Sequence, residues 1–241
     1  MCSRLAGMDP ARIVDNVRQV AERLASDRYA RQRRRELEPA DFAALADAGF
    51  LLTGVPARLG GVFESVARSS RPIGEILTVL ARGDSSVALV SAMHAAVLGF
   101  WHATPDVPEP DRAAWREQSE QMSRHALDGA WFGTITSEPG SGGDVARTQT
   151  VARRGGDGEW RLTGKKHFGS GSGVTSFMLT SGRAEGEADP DWFVLDMRSV
   201  PWDGTRGVKL IAPWDGHGMI ATQSHGMELT DFPALRFAWP G

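Results

Sequence analysis

The sequence predicts an α+β protein in which an all-α N-terminal domain is followed by a small antiparallel β-barrel domain. Apolar residues recur at helical spacing through the first half of the 241-residue chain, with charged residues between them. Near Asp128 the period changes to short β-branched and aromatic runs that are separated by glycine-rich turns. We therefore expect a flexible tail at 1–10, a helical domain at 11–128 and a barrel domain at 129–241.

The helices are predicted from apolar stripes and from the signals at their ends. Ile13, Val17 and Val20 form the first stripe. Asp84 is a suitable N-cap, and the pair Arg71-Pro72 is expected to begin a helix because proline suits the first turn. The predicted helices lie at 11 to about 37, 39–48, 71–83, 86 to about 102, and from 112 onward. The helix from 86 is apolar on most sides, so we expect it at the centre of the bundle.

The strands are predicted from runs of β-branched and aromatic residues. Gly155 to Gly158 form a turn between two of these runs, which predicts a hairpin. The predicted strands lie at 131–136, 148–153, 159–163, 176–181 and 192–197. Short strands with frequent glycine turns indicate a small antiparallel barrel or sandwich.

Composition excludes several classes of function. The net charge of −3 argues against a nucleic-acid-binding protein. Cys2 is the single cysteine, so we expect no disulfide, and no residue set has the spacing of a metal site. The apolar run at 87–101 contains a serine and a histidine and is shorter than the ~20 residues of a bilayer span. With no signal-peptide pattern at the start, we expect a cytoplasmic protein without a membrane span.

One glycine-rich stretch, TITSEPGSGGD at 134–144, is a candidate ligand loop. It offers the hydroxyls of Thr134, Thr136 and Ser137 together with backbone N–H groups at glycines. That combination suits a ligand with carbonyl and phosphate groups, such as a dinucleotide. From the pattern alone, a ligand-binding loop and an ordinary glycine-rich turn of a barrel are about equally favoured.

Three better-known glycine motifs do not match. The pair Gly164-Lys165 lacks the earlier glycine of a phosphate-binding P-loop. A Rossmann fingerprint needs a helix directly after the glycines, whereas the β-branched run at 148–151 follows here. The serines at 169–173 do not have the spacing of a hydrolase nucleophile elbow.

Several motifs in order resemble the acyl-CoA dehydrogenase family. They are FAALADAGF at 42–50 with VPARLGG at 55–61, ARGDSSVA at 81–88, the 134–144 loop, LTGKK at 162–166 with FGS at 168–170, and WDGHGM at 214–219 with ATQSH at 221–225. The resemblance implies an N-terminal helical domain and a middle β-barrel domain that binds FAD. It also implies a homo- or hetero-oligomer and an acyl-CoA or related small-molecule substrate.

The resemblance also implies site residues. An aromatic residue at 168 would pack on the flavin ring, and the hydroxyl of Ser170 would bond near flavin N5. The implied cofactor-binding residues are Thr134, Ile135, Thr136, Ser137, Gly142, Gly143, Phe168, Gly169 and Ser170. The implied substrate-binding residues are Gly143, Thr222, Gln223, Ser224 and His225.

The chain departs from the family pattern at several of these positions. Gly143 stands where the family usually has serine, Phe168 where it usually has tryptophan, and His225 where some members have arginine. Ile220 stands where arginine is common. The sequence ends at Gly241, before the C-terminal helical bundle that in the family provides the glutamate base. No catalytic residue is therefore assigned.

Three functions are compatible with these features. The first is α,β-dehydrogenation of an acyl thioester, in which an α-proton is removed and a β-hydride passes to the flavin. The second is a flavin-dependent monooxygenase of the same fold, which would use FMN and oxygen and would need no α-proton base. The third is a non-catalytic subunit or truncated remnant. Without the bundle, the apolar faces meant for it would be exposed and would favour a partner chain.

Overall fold

A computed structural model of the protein describes residues 8–104, 106–141 and 143–239. Most of the tail predicted at 1–10, the single cysteine Cys2 and the predicted cofactor residue Gly142 lie outside these described residues. The described chain forms two compact units. The helical unit comprises the residues up to Phe132 together with Gly216–Thr222, and the barrel unit comprises Gly133–Asp215 and the residues from Gln223 onward.

Helices form the first unit, as the apolar periodicity predicts. They are α1 (Pro10–Ser26), α2 (Arg28–Arg31), α3 (Pro39–Asp47), α4 (Val66–Gly83), α5 (Ser85–Ala103) and α6 (Arg112–Leu127). Helix α5 contributes many fully buried side chains, including Val90, His94 and Leu98. It is long and apolar enough to span a membrane by length and composition, but more than half of its apolar window is buried within the protein, as in the core helix of a globular unit.

Two predicted helix boundaries are wrong. The first helix ends at Ser26 rather than near residue 37, and the chain turns so that Arg31 meets two carboxylates from α3 and the start of α5. Helix α4 begins at Val66 rather than at Arg71, because Ser65 caps it by accepting a hydrogen bond from the Arg68 amide. Pro72 therefore lies inside the helix, where the carbonyl that loses its partner belongs to the exposed Arg68.

The second unit is a closed sheet. Its strands are β1 (Phe132–Thr134), β2 (Val151–Arg154), β3 (Trp160–Gly169), β4 (Phe177–Ala184), β5 (Pro190–Asp196), β6 (Val208–Ala212) and β7 (His225–Arg236). The order β1-β4-β2-β3-β7-β5 closes because β5 also pairs with β4, and β6 pairs with β7. The interior is filled by apolar side chains that include Leu162, Met178, Phe193, Val208 and Met227.

The barrel is mixed rather than purely antiparallel, which corrects the sequence prediction. The predicted hairpin between β2 and β3 is present and antiparallel. On its other side, however, β2 pairs in parallel with β4, with Val151 opposite Arg183 and Ala152 opposite Ala184. Strands β6 and β7 were not predicted, and β3 continues six residues beyond the predicted end at 163.

Asp84 has two structural roles at the start of α5. One carboxylate oxygen accepts from the amides of Ser86 and Val87 at 2.9 and 3.0 Å, and the other accepts from Arg31 Nε at 2.7 Å. Arg31 also pairs with Asp41, and all three side chains are largely buried. Asp84 thus joins a helix cap to a buried ion-pair network.

We expect Asp84→Ala to lower the free energy of unfolding by about 2 kcal/mol, since it removes the cap and half of the Arg31 pairing. Asp84→Asn keeps a capping oxygen, so it should lower the free energy of unfolding by less than Asp84→Ala does. The exposed pair of Asp15 with Arg18 provides a control, for which Asp15→Ala should change stability by less than ~0.5 kcal/mol. Urea unfolding followed by helical circular dichroism measures all three, and equal losses for Asp84→Ala and Asp15→Ala would contradict this assignment.

His94 is buried without charge in the helical unit. Its Nε2 donates to the Leu51 carbonyl at 3.0 Å, a tautomer that we assign from this acceptor, and its ring packs against Phe50, Trp131 and Phe132. Burial lowers the pKa of His94 from 6.5 to about 4, although the Leu51 hydrogen bond offsets part of the effect. The sequence prediction that His94 is a bundle residue is confirmed.

This depressed pKa predicts a loss of stability in acid. Below pH 6.5 the unfolded chain takes up a proton at this histidine and the folded chain does not, so stability falls between pH 6.5 and about 4. The full effect of one such group is about 3 kcal/mol. His94→Gln can still donate to Leu51 and should show a shallower pH dependence in urea unfolding. The exposed His217→Gln should keep the wild-type dependence, and identical pH profiles for all three proteins would exclude this role.

Candidate functional site

Two segments of the barrel unit lie side by side at the candidate site. The Ser137 carbonyl accepts a hydrogen bond from the His167 amide at 2.7 Å, and the two residues form an antiparallel bridge. This contact brings the loop that follows β1 next to the end of β3. The two stretches singled out in the sequence, 134–144 and 168–170, are therefore neighbours in the fold.

The side chains of the first segment differ in what they can offer to a ligand. Ile135 is only 1% exposed, and its N–H and carbonyl bond to Leu179 and Thr180 of β4, so it serves the barrel core. Thr136 and Ser137 are half-buried, and within the described part of the chain their hydroxyls have no hydrogen-bond partner. These two hydroxyls are the polar groups available here to a bound molecule.

Phe168 is presented outward by an irregularity in β3. The register between β3 and β7 shifts between Lys166 and Gly169, and Phe168 has a left-handed backbone with φ of 59°. Bulges of this kind redirect a side chain, and a bulky residue with positive φ is strained. The ring is 58% exposed, and its edge-to-face contact with Trp214 has a centroid distance of 6.1 Å. The bulge thus leaves an aromatic face exposed beside the loop.

The residues after Phe168 fix the end of the segment. A Cβ at Gly169 would lie 2.7 Å from Cδ1 of Ile135, so any larger residue here would require the Ile135 side chain to shift. The Ser170 hydroxyl lies 2.7 Å from that of Ser224, and either can be the donor. Ser170 is therefore held by the chain and keeps a second hydrogen-bonding position for a ligand.

The glycine turn is open on its outer side. Gly140 and Gly143 have positive φ angles of 80° and 85°, and among the described residues, adjacent ones aside, no atom lies within 4 Å of a Cβ built on either. The N–H of Gly143 is not bare, because it donates to Ser141 Oγ at 3.3 Å. Ser141 also accepts from the Glu138 amide, so this hydroxyl holds the turn together.

A buried ion pair lies beneath the turn. Lys166 Nζ donates to Glu138 at 2.5 Å and to Ser181 Oγ at 3.2 Å, and neither charged side chain is more than 4% exposed. Glu138 also accepts from the amides of Gln149 and Thr150 and from the Thr150 hydroxyl. Burial alone would raise the pKa of Glu138. The hydrogen bonds from Lys166, Gln149 and Thr150 outweigh burial and hold this pKa below its usual range. Burial lowers the pKa of Lys166, and Glu138 offsets part of this.

The predicted substrate-binding residues are divided between the units. Thr222 belongs to the helical unit, where it is fully buried and its hydroxyl donates to the Met219 carbonyl. In the barrel unit Gln223 is buried against Gly173, Ser224 pairs with Ser170, and His225 Nδ1 accepts from the Trp214 amide at 2.9 Å. All four residues have hydrogen-bonding or packing roles within the chain.

The sequence interpretation missed the Glu138–Lys166 pair and the contact of Trp214 with Phe168. A signal for the pair was present. Alternation along β3 directs Leu162, Gly164 and Lys166 to the inner face, and a lysine in such a position needs a buried acidic partner. Nothing local indicates that Trp214, 46 positions further on, reaches Phe168.

Cavities occur elsewhere in the molecule. One of about 620 Å³ lies in the helical unit between Arg58, Trp101 and His102, and a second of about 540 Å³ lies near Arg28, Arg82 and His217. Neither includes a residue predicted to bind the cofactor or substrate. In the described ranges no group of three or more His, Cys, Asp or Glu side chains is placed to hold a metal ion.

The residues of the candidate site fit a flavin. The exposed face of Phe168 can pack on a planar ring, the hydroxyls of Thr136 and Ser137 can bond to its polar edge, and the glycine turn leaves open space beside them. These residues could therefore hold a planar ligand with a polar edge at the surface of the barrel.

Comparison with known proteins gives the family of this domain. Residues 133–232 match the family model for the acyl-CoA dehydrogenase middle domain. Residues 133–232 are thus similar to an acyl-CoA dehydrogenase middle domain, and the chain has an acyl-CoA dehydrogenase-like fold, as the sequence resemblance implied. No curated protein sequence matches the chain.

Solved structures of similar fold include flavin enzymes. FMN-bound TdsC from Paenibacillus sp. A11-2 has a TM-score of 0.74 at 18% identity, with 95% of this chain and 54% of that chain covered. The methanesulfinate monooxygenase MsuC from Pseudomonas fluorescens has a TM-score of 0.70 at 21% identity, covering 94% and 52%. A probable acyl-CoA dehydrogenase from Mycobacterium abscessus has a TM-score of 0.69 at 20% identity, covering 94% and 56%. The chain spans about half the length of these proteins, and identities this low establish the fold alone.

Proposed function

We propose that this chain is the flavin-binding part of a flavin-dependent oxidoreductase of the acyl-CoA dehydrogenase type. The observation that carries the proposal is the Ser137–His167 bridge, which places the loop that bears the 136–137 hydroxyls beside the segment that carries the exposed Phe168. A bound flavin would supply hydride or electron transfer. FAD is the cofactor that the sequence resemblance implies, and FMN is the cofactor of the monooxygenase alternative.

In this proposal each group of the chain has a defined role. Phe168 would cover one face of the ring and exclude water from it. Ser170, oriented by Ser224, would donate a hydrogen bond to the polar edge of the ring, where charge develops on reduction. Thr136 and Ser137 would orient the ring by further hydrogen bonds. The strain at Phe168 is of the kind often found at functional sites.

For the reaction, our first candidate is α,β-dehydrogenation of an acyl thioester, which the order of family motifs favours. The second candidate is monooxygenation. It is favoured by a specific observation, namely that two of the similar structures are the FMN-bound TdsC, which is a dibenzothiophene monooxygenase, and a methanesulfinate monooxygenase. We also propose that the working protein is an oligomer, which sedimentation of the purified chain would test.

Two assays on the flavin-loaded protein distinguish the reactions. Anaerobic bleaching of the flavin by acyl-CoA would support dehydrogenation. Oxygen consumption with reduced FMN and an aromatic or sulfur-containing acceptor, without bleaching by acyl-CoA, would support monooxygenation. Flavin binding with neither activity would support the non-catalytic subunit, and absence of flavin binding would reject the proposal.

The site makes a direct prediction for Phe168→Ala. Aromatic stacking on a planar heterocycle contributes roughly 1–3 kcal/mol, so flavin affinity should fall about tenfold or more. Because the ring is largely exposed, the free energy of unfolding should change little. Titration by flavin fluorescence measures the affinity, and the exposed aromatic substitution Tyr29→Ala in the helical unit is the control. Equal affinities of wild type and Phe168→Ala would show that this ring does not contact the flavin.

A further inference from the structure

The Glu138–Lys166 pair connects the two segments that form the candidate site. Glu138 directly follows Ser137 in the first segment, and Lys166 lies two residues before Phe168 in the second. Between them, Ser137 and His167 form the backbone bridge described above. The pair is therefore a side-chain connection beside the only backbone bridge that joins these segments in the described residues.

The same pair anchors both segments to the barrel wall. Glu138 accepts from the amides of Gln149 and Thr150, at 2.6 and 3.2 Å, just before β2. Lys166 donates to Ser181 of β4, whose hydroxyl also lies 2.7 Å from that of Thr148. Four parts of the chain, namely the 134–141 loop, the segment 148–150 just before β2, strand β3 and strand β4, are thus joined by one network.

Two considerations define what the pair can do. With side-chain exposures of 0% and 4%, neither charged group is placed to touch a ligand. A buried ion pair is also a poor source of stability, because well-packed apolar residues of similar volume often serve as well or better. Buried charges can instead impose a specific arrangement, since each must find its one partner.

We propose that Glu138 and Lys166 are positioning residues that set the spacing between the hydroxyl-bearing loop and the Phe168 ring. This proposal rests on the proposed flavin function of the two segments. Fixing the loop before binding lowers the ordering cost that a flavin would otherwise have to meet, so the pair should raise affinity without contacting the ligand.

The test uses the double variant Glu138→Gln/Lys166→Met, in which both charges are replaced by neutral side chains of similar shape. The corresponding single variants and the exposed neighbour Lys165→Met, whose contact with Glu228 is a weak surface pair, complete the set. We expect the double variant to unfold closer to the wild-type midpoint than Lys166→Met does, because no buried charge remains, and to bind FMN and FAD about tenfold more weakly or worse. The visible absorption bands and fluorescence of bound flavin should shift as well. Lys165→Met should match the wild type in every measurement.

Hydrogen exchange in the flavin-free protein provides a second readout. The His167 amide bonds to the Ser137 carbonyl and so reports whether the two segments stay together. In the double variant this amide should exchange faster than in the wild type, while amides in the middle of β4 should keep their protection.

These measurements separate the failure of this proposal from the failure of the flavin function. If the wild type binds flavin, then wild-type affinity in a folded double variant overturns the positioning role. If the wild type binds neither FMN nor FAD, the flavin function fails. In that case hydrogen exchange alone tests the spacing role. Unchanged protection of the His167 amide would overturn this role, and faster exchange would support it.

Discussion

Lys166→Met is expected to lower the free energy of unfolding by about 3–5 kcal/mol, among the largest effects of any single substitution in this chain. The variant leaves the Glu138 carboxylate buried without its cation, and the remaining donors at Gln149 and Thr150 are neutral. An unpaired buried charge either stays ionised at high cost or takes up a proton. Chemical unfolding at neutral pH, followed by near-ultraviolet signals, measures the loss.

The neighbouring lysine provides a matched control. Lys165 is adjacent in sequence but more than half exposed, and its amine lies 3.7 Å from the Glu228 carboxylate. Lys165→Met should change stability by less than ~1 kcal/mol. The double variant Glu138→Gln/Lys166→Met should recover much of the loss of Lys166→Met, because no buried charge remains. Similar losses for the two single lysine variants would contradict the buried pair.

Phe193→Ala should be comparably destabilising, by about 3–5 kcal/mol. Phe193 of β5 is fully buried, and its ring packs edge-to-face on Trp160 with centroids 6.0 Å apart. It also lies close to Gly182, where a Cβ would come within 3.2 Å of the ring. Alanine would leave a cavity in the barrel core that the closed sheet cannot readily collapse around.

The same substitution at Phe168 is the appropriate comparison for Phe193. Both are phenylalanines on barrel strands, but one is fully buried and the other is 58% exposed. Equilibrium unfolding of the two alanine variants should therefore separate a core role from a ligand-facing role. A large loss of stability for Phe168→Ala together with a small one for Phe193→Ala would reverse these assignments.

The sequence is sufficient to predict the elements that depend on local patterns. The stripe of Ile13, Val17 and Val20 places α1, and Asp84 caps α5 as expected. The helix start at Ser65 was missed because Pro72, a stronger local signal, also suits a first turn. Two local signals compete for the start of this helix. The Ser65 cap, together with the burial of Ile76 and Leu80, favours the start at Val66.

Non-local pairings account for the other differences. The parallel contact of β2 with β4 involves only two residue pairs, and no local pattern specifies it. Strand β7 was missed because Asp231 and Pro233, residue types that strands disfavour, interrupt the pattern that would have marked a strand. Pairing with β3, β5 and β6 nevertheless holds this segment extended.

The candidate site likewise combines features that local sequence patterns predict with features that depend on non-local pairing. Residue types and motif order point to the 134–144 loop and to Phe168. The β-bulge that turns Phe168 outward, and the ion pair that links two positions 28 residues apart, arise only when β3 and the loop are brought together. Such geometry depends on the closed sheet as a whole.

Flavin binding by the purified chain tests the central claim most directly. The protein would be incubated with excess FMN or FAD, separated by gel filtration and examined by visible absorption, beside Phe168→Ala. We predict that the wild type retains flavin absorbance and that Phe168→Ala loses most of it while remaining folded. A colourless wild-type protein with a native circular dichroism spectrum would contradict the flavin site, although it would leave the fold unaffected.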